Sequence, residues 1–328
     1  MGTSSDARRP RPVEPAAEAH AGVRGHAPVA ANEPRISVIV NDGAGSNRAQ
    51  DRLEEVRRTC QALALNAEVR ALRSGEQIID AARRAVRDGA GVVVAGGGDG
   101  TVSAVASCLA GTGVRLGVLP LGTLNHFARD LGIPTEIDGA LEVIARGKVV
   151  DVDIAEVNGQ TFINNSSLGL YPHIVHHREQ QQRRLGRGKW RALATATLHV
   201  LQRSHPMWVR IEIDGAQLVR RTGFIFIGNN NYQMEGLKIG ERTSLTDGAL
   251  CLCVTRKSNR MALLRLAWRA LIGRLREAED FDVVQATSVT VRTSRHHVRV
   301  ATDGEVQLMD SPLHYRIRPR ALRVLVPG

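Results

Sequence analysis

Carboxylates set among glycines mark the places where this chain could do chemistry. Residues 96–101 read GGGDGT, follow a short apolar run and precede a helical stretch. Only glycine leaves backbone N–H groups uncovered enough for a phosphate to approach. A helix N-terminus behind such a loop adds partial positive charge. Asp99 would repel a phosphate directly, so its place in the loop makes sense against Mg²⁺ or a Mg²⁺-bound water. The segment has neither the Gly-Lys-Ser/Thr ending of a Walker loop nor an uninterrupted G-x-G-x-x-G pattern. A tight strand-to-helix turn is the alternative. Three consecutive glycines are expensive for a turn alone, at about 0.5–1 kcal/mol each against Ala in regular structure.

Two further Asp-Gly pairs stand in strand-rich sequence. Asp303, Gly304 and Glu305 lie in ATDGEVQ, and Asp247 lies in LTDGALCLCV. A hairpin turn explains either pair on local grounds, so turn and functional readings both stay open from the residues themselves. His173, His176 and His177 cluster without the H-E-x-x-H spacing of a zinc helix and read as a solvated basic segment. Cys251 and Cys253 sit in an apolar run with no second Cys/His pair at zinc spacing, which reads as core packing. Four scattered cysteines in 328 residues are no disulfide framework.

The elements that must position these residues fall into two groups. RISVIVN is a buried strand, and a helix is expected over 47–65. A strand follows at 68–72, then a helix over 76–87. GVVVAGGGDGT is strand and glycine loop, 101–110 is helical, and LGVLPLGTLNHFARDLGIP repeats strand, polar turn and short helix. This order implies a doubly wound, mostly parallel α/β sheet. From about residue 148 strands dominate, several alternating apolar and polar residues. They imply a β-sandwich with helical insertions near 187–203 and 258–277. The expected domains are a disordered tail at 1–34, a nucleotide-binding α/β domain at 35–150 and a β-sandwich substrate domain at 151–328.

A 43% apolar and 23% charged composition suits a globular core. The formal charge of +11 favours an anionic partner. No signal-peptide pattern and no ~20-residue apolar span is present, so a cytoplasmic protein that visits a membrane is expected. The stretch 256–276 carries Arg256, Lys257, Arg260, Arg265, Arg269, Arg274 and Arg276 with leucines and Trp268 between them. Such a helix suits an anionic bilayer surface; a helix packed on the sandwich with a solvated arginine face is the other reading. Few aromatics and no recognition motif speak against nucleic acid.

AGGGDGTVSAVAS followed by LGVLPLGTLNHFARDLGIP resembles the catalytic domain of the diacylglycerol kinase and sphingosine kinase superfamily, in particular its bacterial soluble lipid kinases. It is more distantly similar to NAD kinases and phosphofructokinases. The resemblance implies ATP as donor, a lipid alcohol as acceptor, Mg²⁺, and a site in a cleft between two domains. It assigns nucleotide contacts to Asn41, Gly96, Gly97, Gly98, Asp99, Gly100, Thr101, Val102, Thr123 and Asn125. Glu305 would be the base, Asp303 its accessory, and Asp99 the carboxylate on the Mg²⁺ side. Asp247 with the carbonyls of Ser244 and Ala249 would hold a structural Mg²⁺. Three residues depart from the pattern: Asp42 stands where Pro is usual, His126 where Asp is, and Thr246 where a first Asp is. Two other readings remain: another kinase of the superfamily such as an NAD kinase, and a non-catalytic nucleotide- or lipid-binding homologue.

Overall fold

The computed structural model describes residues 34–43, 47–169, 206–233, 241–242, 244–256 and 281–328. The tail except Pro34, the helices expected near 187–203 and 258–277, the basic stretch beyond Arg256 and the three clustered histidines lie outside the described residues.

The first half alternates strand and helix: β1 (Ile36–Asn41), α1 (Asn47–Ala62), β2 (Ala67–Leu72), α2 (Gly75–Arg87), β3 (Val92–Gly97), α3 (Asp99–Leu109), β4 (Arg115–Pro120), α4 (His126–Asp130) and α5 (Ile137–Arg146). β1 and β3 are buried almost throughout, which is why they read as unbroken apolar runs; helices cover both faces of a parallel sheet. α2 shows the complementary logic. Ser74 Oγ caps it by accepting from Gln77 N at 3.2 Å. Ile78, Ala81, Ala82 and Ala85 then form its buried stripe. The separate helix α5 was not expected from the sequence.

The second half is strands: β5 (Lys148–Val157), β6 (Gln160–Phe162), β7 (Asn165–Gly169), β8 (Met207–Ile213), β9 (Ala216–Thr222), β10 (Phe224–Asn229), β11 (Tyr232–Gln233), β12 (Glu241–Arg242), β13 (Leu250–Thr255), β14 (Phe281–Ala286), β15 (Ser288–Thr293), β16 (His297–Thr302), β17 (Glu305–Asp310) and β18 (Leu313–Val326). One sheet runs β2-β1-β3-β4-β18-β15-β8-β9, with β5 and β6 added beside β18. It is parallel from β2 to β18 and antiparallel beyond. A second, antiparallel sheet runs β14-β13-β10-β7-β16-β17. The two share a core that includes Phe162, Ile211, Ile227, Leu252, Val300 and Tyr315. The α/β sheet and the antiparallel sandwich are therefore both present as the sequence implies. Cys251 and Cys253 are buried in β13, as their core reading requires.

β18 belongs to both halves. Its first part pairs with β15 and its last part with β4, and the register slips between Arg318 and Leu322. Arg320 sits in that slip at φ 51°. Asp153, 1% exposed in β5, fixes the bend. Its Oδ1 accepts from Arg320 N at 2.8 Å and its Oδ2 from Gly248 N at 2.7 Å. A substitution Asp153→Ala would leave two inward-facing amides without acceptors. It is expected to lower unfolding free energy by roughly 2–4 kcal/mol, read as a shifted urea midpoint; an unchanged midpoint would show that the bend holds itself.

Candidate active site

β3 delivers the glycine loop to the carboxyl edge of the parallel sheet, where ligands of such folds bind. Gly98 is the N-cap of α3 with no side-chain cap, and Asp99 opens the helix, leaving first-turn amides directed outward. The glycines earn their places by contact. A Cβ on Gly97 would lie 2.5 Å from Thr101 Oγ1. A Cβ on Gly122 would lie 2.4 Å from Gly98 Cα. The glycine loop and the LPLGT loop after β4 therefore touch backbone to backbone, and Leu121 N and Gly122 N both donate to Gly97 O, at 3.0 and 3.2 Å.

The other residues expected at a nucleotide divide into those that face the crevice and those that hold its walls. Thr123 is exposed at the loop tip. Asn41 Nδ2 donates to Thr101 Oγ1 at 2.9 Å, tying the end of β1 to α3. Asn125, 7% exposed and at φ 50°, is spent on its own loop. Its Oδ1 accepts from Gly122 N at 3.1 Å and its Nδ2 donates to Pro120 O and Gly122 O at 3.0 and 3.1 Å. Val102 is core, 3% exposed, with its amide bonded to Gly98 O. Beside these, a cavity of about 190 Å³ is lined by Asn41, Asp42, Arg52, Gly97 and Gly98 among others. Asp42 Oδ2 stands 3.6 Å from Arg73, while its Oδ1 is buried with no hydrogen-bond partner among the described residues. A buried acceptor in a cavity wall can take a donor from whatever fills the cavity, water or ligand.

The carboxylates of the second half reach this same place. Asp303 at φ 48° and Gly304 at φ 89° make the two-residue turn between β16 and β17, and positive φ at both positions is what such hairpins demand. So the turn reading is right, and it is not the whole story. Asp303 Oδ1 accepts from Asn164 N at 2.8 Å and Asn165 N at 3.0 Å. Its Oδ2 accepts from Ile163 N at 2.8 Å and from Ser103 Oγ, on α3, at 2.5 Å. Burial pushes the Asp303 carboxyl above its ordinary pKa, against the pull of Ser103 and the three amides. Both oxygens being occupied, Asp303 is a clamp on the turn. Glu305 follows it, exposed, at the start of β17. A Cβ built on Gly100 would lie 3.5 Å from Glu305 Oε1, so the structure sets that carboxylate against the first turn of α3.

Asp99 Oδ1 accepts from Phe127 N at 3.2 Å, and its second oxygen makes no hydrogen bond among the described residues. That one open carboxylate oxygen, next to outward amides, suits a cation carried on a phosphate. The Asp247 loop fits a resident Mg²⁺ less well. The Ala249 carbonyl already accepts from Asn230 N at 3.0 Å, Asp247 N donates to Asn230 Oδ1 at 3.0 Å, and Asp247 Oδ2 faces Asn231 N at 3.4 Å. Ser244 Oγ accepts from Thr246 N at 3.1 Å. Among the described residues no three or more His, Cys, Asp or Glu gather to hold a metal.

Sequence reasoning missed Ser103, Asp130 and Arg242. Ser103 carries a legible signal in retrospect, one helical turn beyond Asp99 on the loop's own helix. Arg242 carries none, because β12 is two residues long. The backbone contact between the loops gives a direct expectation. Gly122→Ala should destabilise by about 1–3 kcal/mol through overpacking. Gly100→Ala, whose Cβ finds only ordinary contact, should stay within about 0.5 kcal/mol. Equal urea midpoints for the two variants would contradict the close approach.

Residues 35–157 match the family described as diacylglycerol kinase catalytic domain, and residues 171–326 match a C-terminal NAD kinase β-sandwich-like domain. A diacylglycerol kinase of Bacillus subtilis is 29% identical over 83% of this chain and 89% of its own length. One from Staphylococcus aureus is 30% identical over 70% of this chain and 74% of its own. A crystal structure of a diacylglycerol kinase from Bacillus anthracis superposes with a TM-score of 0.66 at 20% identity, covering 90% of this chain and 97% of that one. A yeast NADH kinase complexed with NADH gives 0.53 at 13%, covering 91% and 85%. The two structures speak for the fold alone. The sequence kinship reaches further, across both halves: the chain belongs to the diacylglycerol kinase family and is an ATP-dependent kinase.

Proposed function

We propose that the chain transfers the γ-phosphoryl group of ATP to the hydroxyl of a lipid of the diacylglycerol type, from the cytoplasmic side, at a membrane surface. The observation that carries the reading is the approach of Glu305 Oε1 to Gly100. It puts a proton acceptor beside the loop best built to hold a triphosphate.

The first-turn amides of α3 and the glycine loop bind the phosphates, aided by the helix N-terminus. Asp42 Oδ1 accepts a hydrogen bond from the nucleoside. Mg²⁺ borne by the triphosphate would neutralise its charge, with Asp99 as the carboxylate beside it. Phosphoryl transfer passes through a loose transition state, so positioning and charge neutralisation matter more than nucleophile strength. The lipid oxygen forms its bond to the γ-phosphorus as the bond to the ADP oxygen breaks, and the hydroxyl proton passes late to Glu305. Asp303 acts through the turn by holding Glu305 in place. Arginines in the stretch 256–276 support contact with an anionic bilayer, and among the described residues no helix is long and apolar enough to cross one.

Radiolabelled ATP with a panel of lipid alcohols in mixed vesicles tests this directly. Wild type is expected to label a diacylglycerol-type acceptor. Glu305→Gln should lower kcat by about 10²–10⁴-fold while ATP affinity stays within about threefold. Turnover unchanged by that substitution would remove Glu305 from the mechanism, and a wild type that labels no lipid would defeat the reading.

A further inference from the structure

An ion pair with a fully buried arginine joins α4 to the sandwich. The Arg242 side chain is 0% exposed. Its Nε donates to Asp130 Oδ2 at 2.7 Å, and its Nη2 lies 2.6 Å from the same oxygen. Nη1 donates to Ile163 O at 2.6 Å and Nη2 to Asn164 Oδ1 at 2.9 Å. The guanidinium carbon stands 5.8 Å from the Phe127 ring centroid and 5.6 Å from that of Tyr232, so aromatic faces flank the charge. Burial opposes that charge, but Tyr232 and Asp130 outweigh it and hold the Arg242 pKa above its ordinary value. Burial pushes Asp130 up, and Arg242 opposes the shift.

Each of these contacts leads to a group the proposed reaction uses. Asp130 and Phe127 belong to α4, and Phe127 N is the donor to Asp99. Ile163 and Asn164, gripped by Arg242, send their own amides to Asp303. Asp303 closes onto Ser103 of α3, the helix that Asp99 begins. The result is a closed circuit: α3 to α4, α4 to Arg242, Arg242 to the segment 163–165, that segment to Asp303, and Asp303 back to α3. Stability alone is a poor reason for such a pair. Desolvating two charges costs several kcal/mol per ion, and apolar replacement of a whole buried pair is often neutral or stabilising. What the guanidinium adds is direction: a planar fork of donors fixes several acceptors at once, which an ammonium does not.

We infer that Arg242 and Asp130 are positioning residues for phosphoryl transfer, setting the separation between the glycine loop and the Glu305 turn through Phe127 and the 163–165 segment. The role rests on the kinase reading above. A misplacement of about 1 Å between reacting groups can cost on the order of 10²-fold in rate, so the pair's effect belongs in kcat.

Four variants test it: Asp130→Asn, Arg242→Lys, Arg242→Met and the double Asp130→Leu/Arg242→Met. Steady-state kinetics, urea midpoints and hydrogen exchange over 99–104, 163–165 and 303–305 are read on each. The single variants are expected to lose about 10–100-fold in kcat, with KM for ATP within about threefold and faster exchange over 163–165 and 303–305. Lysine is expected not to rescue, since one ammonium cannot replace the fork. The double variant separates the alternatives. A merely structural pair predicts that midpoint and kcat recover together; a positioning pair predicts a recovered midpoint with kcat still low. Asp130→Asn keeps shape and a hydrogen bond, so it reads the effect even where Arg242→Met fails to fold. A folded Asp130→Asn or Arg242→Met with wild-type kcat, or exchange at 163–165 and 303–305 unchanged, overturns the inference. Wild type inactive on every lipid defeats the kinase reading instead, and the exchange data then judge the mechanical coupling by itself.

Discussion

The Asp303 carboxylate is the constraint on which the rest of the site depends. It gathers three consecutive backbone amides and the Ser103 hydroxyl onto two oxygens. Hydrogen bonds to a charged group contribute about 1.5–3 kcal/mol each, and here they join residues distant in the chain. Two of the donors come from the link between β6 and β7, the third from the first residue of β7, and the fourth from the helix behind the glycine loop. One side chain thereby fixes a sandwich hairpin against the nucleotide half. The geometry has a backbone condition, φ > 0 at both turn residues, which Asp tolerates and Gly meets freely. Glu305 inherits its position from that turn.

On the opposite wall glycine works by what it lacks. Gly97 and Gly122 leave no space for a Cβ, so the two loops close together, with Leu121 N and Gly122 N turned onto Gly97 O. Asn125 secures the second loop from inside, with both ends of its amide engaged. This wall is fixed by neutral hydrogen bonds and close packing. The charged groups of the crevice, Asp99 and Glu305, keep carboxylate oxygen for a ligand.

Much of this was legible in the sequence, for physical reasons. β1 and β3 read correctly because strands covered on both faces are apolar without interruption, and GGGDGT stood out because glycines in series have few uses. β17 was missed. It lies at a sheet edge with Val306 and Leu308 exposed, so no inward stripe betrays it. Asp303 looked like a turn residue and is one; its second function comes from partners some 140 and 200 residues away, which no local pattern displays. Asn125 and Val102, assigned to the nucleotide by position in a motif, are also part of the wall, one by its loop hydrogen bonds and the other by its burial. Contacts made by short strands, such as that of Arg242, leave no periodic trace.

The central claim is spatial: one triphosphate site lies between the amides at the start of α3 and the Glu305 carboxylate. A crystal structure with a non-hydrolysable ATP analogue and Mg²⁺ measures it most directly. The account expects the analogue's phosphates within hydrogen-bond distance, about 2.7–3.2 Å, of amides in the stretch 97–101, with the terminal phosphate facing Glu305. Phosphates seated elsewhere, or a terminal phosphate turned away from Glu305 with no room for a hydroxyl between them, would contradict it.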